Sequence, residues 1–256
     1  MNARLRKGLV AAVVGVAIAI TTVGAAFAAA TAAAPVAGGP AGASVCSTTA
    51  TAARSAATAA SLKAFADCEI GRRLTTLGQL SSAVGAAKSL TSSDASSLSS
   101  IISGDKTALT ALKTSVDGAS TAAGLRLAIV QIVSKYRIYE LVVPQVNLTI
   151  AADTALAIKP HFDQISTDLA ARIATAQGKG KDVTAAQADL SAMNTSVVNA
   201  VALASPIPAA LLAMTPAGYG SGSAATLQGY RTALGQARDD LKSATQDARD
   251  LIAALK

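Results

Sequence analysis

All-α is the fold class this sequence predicts, and three features predict it. Alanine carries much of a 51% hydrophobic composition in which aromatics are only 3%, and alanine is the strongest helix former while burying little area. Apolar residues recur at spacings of three and four from Ile70 to Leu255, the period of one helix face. Apolar–polar alternation is scarce. Its one weak instance, Val146, Leu148 and Ile150, lies between helical patterns and reads as part of a kinked helix. The expected architecture is an elongated antiparallel helical bundle with coiled-coil character over residues 61–256. A signal peptide at 1–28 and a flexible tether at 29–60 precede it.

The export signal reads from its three parts. Met1 to Lys7 form a basic start, Leu9 to Ile20 an apolar run, and Ala26-Phe27-Ala28 a small-x-small cleavage site. An uncleaved anchor is the rival reading, because the weakly polar run from Leu9 to Ala34 is long enough to span a bilayer. Ala29 to Ala60 is low complexity, with Arg54 its one charge, and can bury little.

The first helix is expected from about Leu62 to Ser89, with Ile70, Leu74, Leu77, Leu80 and Val84 as its stripe. Thr91-Ser92-Ser93-Asp94 supplies capping residues. The next stripe, Leu98, Ile102, Asp105, Leu109, Leu112 and Val116, is heptad-like with one polar slot. Gly104 is read as a break, with Asp105 capping the next helix. Leu125 to Val143 is apolar on nearly all sides, as in a central, buried helix, and Pro144 ends or kinks it.

A further helix carries Ile158, Phe162, Ile165, Leu169 and Ile173, and the glycines at 178 and 180 stop it. Asp182 opens another, with Thr184 to Gln187 as a capping box and Val183, Leu190, Val197 and Val201 along one side. Pro206 to Gly222 forms a long turn with a short helix near Ala209–Met214. Leu227, Leu234 and Leu241 line a last helix whose opposite face mixes Arg238, Asp239, Asp240, Lys242, Asp247, Arg249 and Asp250.

Cys46 and Cys68 are the two cysteines, and export permits a disulfide between them. One unbroken helix from 47 to 67 would hold their α-carbons about 33 Å apart at 1.5 Å per residue, beyond the roughly 7 Å reach of a bridge. Pairing therefore requires a fold-back. Without C-x-x-C spacing, a bridge would be structural.

No catalytic constellation emerges. His161 is the single histidine, too few for a multi-histidine metal site. Ser103-Gly104-Asp105-Lys106 matches S-x-x-K but lacks its S-D-N and K-T-G companions. Gly178-Lys179-Gly180-Lys181 is a turn, since a P-loop needs a preceding strand and a Ser or Thr after the lysine. The net charge of +7 falls to +4 without Arg4, Arg6 and Lys7. The remaining cations are scattered, which argues against nucleic acid. No cofactor or metal is expected, and no enzyme activity.

The densest local feature is Lys135-Tyr136-Arg137-Ile138-Tyr139-Glu140. It reads either as an interaction patch on Tyr136, Arg137 and Tyr139, or as a helix end with packed rings and hydroxyls at the rim. Ser134 to Tyr139 with Val142-Val143-Pro144, the Lys181-Asp182-Val183-Thr184 start and Tyr230-Arg231 resemble a recurring pattern in uncharacterised secreted helical, coiled-coil-like proteins of Gram-positive and related bacteria. The resemblance covers roughly Phe65 to the C-terminus and implies a location and an architecture, without an activity. The sequence thus leads to a secreted, non-catalytic helical protein of the cell envelope, acting as scaffold, spacer or adhesion module. Its partner would be a protein or envelope component, and self-association is allowed. The alternative is a membrane- or lipid-associating protein with amphipathic helices.

Overall fold

The computed structural model describes residues 45–255, and every regular element among them is helical. The expected signal peptide, its cleavage site and the tether up to residue 44 lie outside the described residues. The elements are α1 (Ser47–Ser55), α2 (Ala59–Ala86), α3 (Ser92–Gly118), α4 (Ala122–Ser134), a π-helical turn (Ile138–Val142), α5 (Val143–Ala157), α6 (Lys159–Gln177), α7 (Thr184–Ala204), α8 (Ile207–Leu212) and α9 (Ser223–Ala254). Where one helical domain is expected from 61 to 256, the chain forms two compact units. The first comprises described residues up to Ile150 together with Pro208–Gln228, and the second comprises Ala151–Ile207 and the chain from Gly229.

In the first unit, α1, α3 and α4 all pack on α2. α2 and α3 run antiparallel, because Lys63 near the start of α2 donates to the Asp117 carbonyl near the end of α3 at 2.6 Å. The stripe predicted for α2 is buried at Ile70, Leu77, Leu80 and Val84, and that of α3 at Leu98, Ile102, Leu109, Leu112 and Val116. The caps follow residue chemistry. Thr58, Thr91 and Thr121 each sit in extended backbone before a helix and accept from an N–H three residues on, satisfying a donor the helix cannot.

Four expectations are corrected here. Gly104 does not break α3, which is continuous through it, and Asp105 is an interior residue and caps nothing. A mid-helix glycine costs only about 1 kcal/mol, and Ile102 and Leu109 on either side of it are buried. The end of the segment expected as a tether, with at most frayed helix there, is a helix over Ser47–Ser55, tied to α2 by the Cys46–Cys68 disulfide with α-carbons 5.8 Å apart. The fold-back this demands is made at Ala57, a non-glycine residue at φ 49°.

Third, Leu125 to Val143 is not one central helix. It breaks after Ser134, Arg137 takes φ 45°, and a π turn leads into α5. There the Val142 N–H reaches back five residues to Arg137 and the Val143 N–H to Ile138. The wider turn relieves the crowding that Pro144, at the second position of α5, would cause in a regular α-helix. α4 buries Leu125, Ala128 and Ile132 but leaves Leu127 at 67%, Val130 at 60% and Val133 at 48% exposure. The apolar residues all round α4 therefore describe a helix with one buried and one open side. The enclosed stretch is instead Leu141 to Val146, apolar except for Gln145, whose buried amide donates to the Leu211 and Met214 carbonyls.

The second unit pairs α6 with α7, as expected for helices joined by a short glycine turn. Gly180, at φ 76°, lets the Lys181 N–H return to the Ala176 carbonyl at 3.1 Å. The fourth correction is at α7. Its N-terminus uses no Thr184 capping box, and instead Asp182 Oδ1 accepts from the Thr184 N–H at 2.9 Å. The carboxylate is already aligned two residues before the helix, and the Asp182 carboxyl is held below its usual range mainly by that backbone hydrogen bond. The core of this unit holds Phe162, Ile165, Leu169, Met193 and Val197, with Leu234, Leu241 and Leu251 from α9.

Candidate functional site

The densest polar cluster lies in the first unit, where α2 meets the π turn. Glu69, Arg72 and Arg73 stand at i, i+3 and i+4 on α2, so one helix face gathers all three. Arg72 Nη2 donates to Glu69 Oε2 at 2.7 Å, and Arg73 Nη1 donates to the same oxygen. Both guanidinium groups stack on the Tyr139 ring, Arg72 at 4.3 Å and Arg73 at 5.1 Å from its centre. A cation over the ring face is attracted by its quadrupole. The Tyr139 hydroxyl lies 3.4 Å from Thr76 Oγ1, which fixes the ring's tilt. Burial works to raise the Glu69 carboxyl, but the hydrogen bonds and charges of Arg72 and Arg73 outweigh it and hold the group below its usual range.

Arg137, two residues before Tyr139, points elsewhere. It pairs with Glu140 at 2.6 Å and covers the Tyr219 ring at 4.9 Å. Its left-handed backbone is uncommon for a non-glycine residue, and such conformations and π turns both concentrate at functional sites. Tyr136 is buried, and its hydroxyl donates to the Ala108 carbonyl at 3.2 Å. Burial, and secondarily the charge of Asp105, push the Tyr136 phenol up.

Of the three residues proposed as an interaction patch, Tyr136 is thus packed inside and Tyr139 is half-buried between two arginines. Arg137 is tied to Tyr219 and Glu140. Arg72, Arg73 and Glu69 are the members that sequence reading missed. Their i, i+3, i+4 spacing was legible, but their meeting with Tyr139 joins residues more than sixty positions apart.

Asp105 fills the polar slot of the α3 stripe. Its Oδ2 is buried with no hydrogen-bond partner, and burial pushes its carboxyl up to about 6. Cys46, 1% exposed, and Cys68 are both consumed in the disulfide. His161 is an exposed residue at the start of α6, after Pro160 in the first helical turn, where proline is tolerated. Among the described residues no group of three or more His, Cys, Asp or Glu is placed to hold a metal ion.

A second feature lies in the second unit. Between α6 and α7 runs a shallow groove lined by Ile173, Ala174, Leu190, Ser191, Thr195 and Val198 among others, none of them charged. Asp189 is the single charged residue from Thr184 to Leu212. Comparison of the chain with family models, curated proteins and solved structures finds no match, and the resemblance carried by Ser134 to Tyr139 gains no support from it.

Proposed function

We propose that this is an exported, non-catalytic helical protein that associates with lipid surfaces through the uncharged outer face of α7. One observation carries the reading. Among the described residues, two helical stretches are apolar and long enough to cross a membrane, and they differ in burial. Ala122–Gln177 has 72% of its most apolar part buried, as a core does, whereas Thr184–Leu212 has only 33% buried. Val198 is 61% exposed, and Ala188, Ser191, Thr195 and Ala202 lie exposed along the same helix. A face of this kind costs little to withdraw from water because it carries no charge to desolvate.

Flotation with phosphatidylglycerol and phosphatidylcholine vesicles tests it. The protein should float with vesicles, and a double variant, Thr195→Lys with Val198→Lys, should lose most of that binding while keeping its helical circular dichroism. Failure of the parent protein to float with either vesicle removes the reading.

A scaffold or adhesion role in the cell envelope, with coiled-coil-like pairing between copies or with a partner, is the second reading. The open side of α4 at Leu127, Val130 and Val133 favours it, since exposed apolar patches mark contact surfaces. Self-association that Val130→Lys abolishes, in a protein that ignores vesicles, would place this role first.

A further inference from the structure

We infer that the Arg72–Arg73–Tyr139 cluster is a binding site for a singly charged oxyanion, a phosphodiester or a carboxylate. The charge balance points there. Arg72 and Arg73 share one carboxylate, Glu69, and Arg137 is matched by Glu140. One positive charge is therefore left over in the Arg72–Arg73 pair. No other carboxylate among the described residues comes within salt-bridge distance of these two guanidinium groups. Arg73 is only 5% exposed, and a charge so placed is costly unless something pairs with it.

Hydrogen bonding agrees. The Nε–H groups of Arg72, Arg73 and Arg137 are all buried without a partner, and no other arginine among the described residues has such a nitrogen. Unpaired buried donors on charged groups are rare in proteins and concentrate where a ligand or ion completes them. Arg72, its side chain 17% open against 7% for Arg73, is the more accessible of the two. Stacking holds both guanidinium groups against one ring, 4.3 and 5.1 Å from its centre, and a guanidinium's planar N–H edge matches the two oxygens of one anion. An incoming oxyanion takes the guanidinium edges that the Glu69 carboxylate does not reach. The inference does not rest on the lipid reading, because α7 contributes nothing to this cluster.

The test follows the arginine Nε–Hε signals of the full-length protein by ¹H–¹⁵N NMR at constant ionic strength. Dimethyl phosphate and acetate are titrated separately. Saturable shifts are expected at Arg72 and Arg73, with Arg238 and Arg249 unmoved. Saturation by dimethyl phosphate alone assigns a phosphodiester, saturation by acetate alone a carboxylate, and saturation by both a general oxyanion site. Arg72→Lys keeps the charge but loses the planar fork, and it should weaken binding at least about tenfold. Phosphatidylglycerol vesicles that compete with dimethyl phosphate would identify a lipid headgroup as the source, and absence of competition a soluble anion. Shifts that stay linear to high concentration, that sodium chloride reproduces, or that persist unchanged in Arg72→Lys overturn the site. Loss of vesicle flotation in the Thr195/Val198 variant, with these shifts retained, would leave the anion site standing on its own.

Discussion

The two units bury different chemistry. The first fills its core with Ile70, Leu77, Leu80, Leu98, Ile102, Leu109 and Leu125, and its buried alanines are Ala53, Ala66 and Ala128. The second buries Ala152, Ala155, Ala176, Ala186, Ala200, Ala204, Ala237, Ala244 and Ala248 beside a thinner set of large side chains. A leucine removes far more apolar area from water than an alanine, each buried methylene adding about 0.8 kcal/mol. Alanine instead lets helix backbones approach closely and loses no side-chain entropy. The first unit also has the disulfide and the arginine–tyrosine cluster. The second presents an uncharged open face on α7. The comparison teaches that one alanine-rich composition supports both a large-residue core that can seat buried charge and a small-residue pairing that leaves an uncharged helix face open.

The largest effect should come from truncating the large-residue core. Leu77→Ala should cost about 2–5 kcal/mol in urea unfolding, whereas Ala244→Gly in the second unit should cost about 1–2 kcal/mol, the backbone effect plus one buried methyl. Equal costs for the two would erase the contrast. Next comes the disulfide. Replacing Cys46 and Cys68 by serine opens a loop spanning 22 positions and should lower the stability of the first unit by about 3 kcal/mol. Hydrogen exchange should show α1 losing protection first, while α6 and α7 keep theirs.

Asp105 supplies a pH test confined to the first unit. Its ordinary value of 3.8 is raised to about 6 by burial. Between those values the folded protein holds the proton that the unfolded chain has released. Stability therefore falls as pH rises through that window. Solvent screening of a partly open group leaves an effect on the order of 1–2 kcal/mol. Asp105→Asn should unfold at higher urea than the parent at pH 7 and lose the slope between pH 4 and 6. An unchanged slope would assign the pH dependence to other carboxylates. The smallest effect sharpens a single helix end. Thr91 accepts from the Asp94 N–H at 3.1 Å, and Thr91→Ala should cost about 1 kcal/mol, visible as faster amide exchange at the start of α3.

Much of this fold was readable from spacing. The stripes from Ile70 to Val84 and from Leu98 to Val116, apart from the half-buried Leu74 and Asp105, and the Leu227/Leu234/Leu241 row are buried where period and residue type place them. Thr91 caps where its hydroxyl predicts. Gly104 misled because propensity is a weak local term, and a long buried stripe on both sides overrides it. Leu127, Val130 and Val133 misled because composition around a helix says nothing about which neighbours reach it.

The sequence by itself determined helix, its period and the Thr91 cap, because these depend on interactions within four residues of one another. Only the tertiary structure decided that Ala57 folds the chain back for Cys46 to meet Cys68, that Arg72 and Arg73 stack on Tyr139, and that α4 and α7 keep an open side. Each of these rests on residues distant in the chain. Their meeting is set by how helices pack, and local spacing carries no record of it.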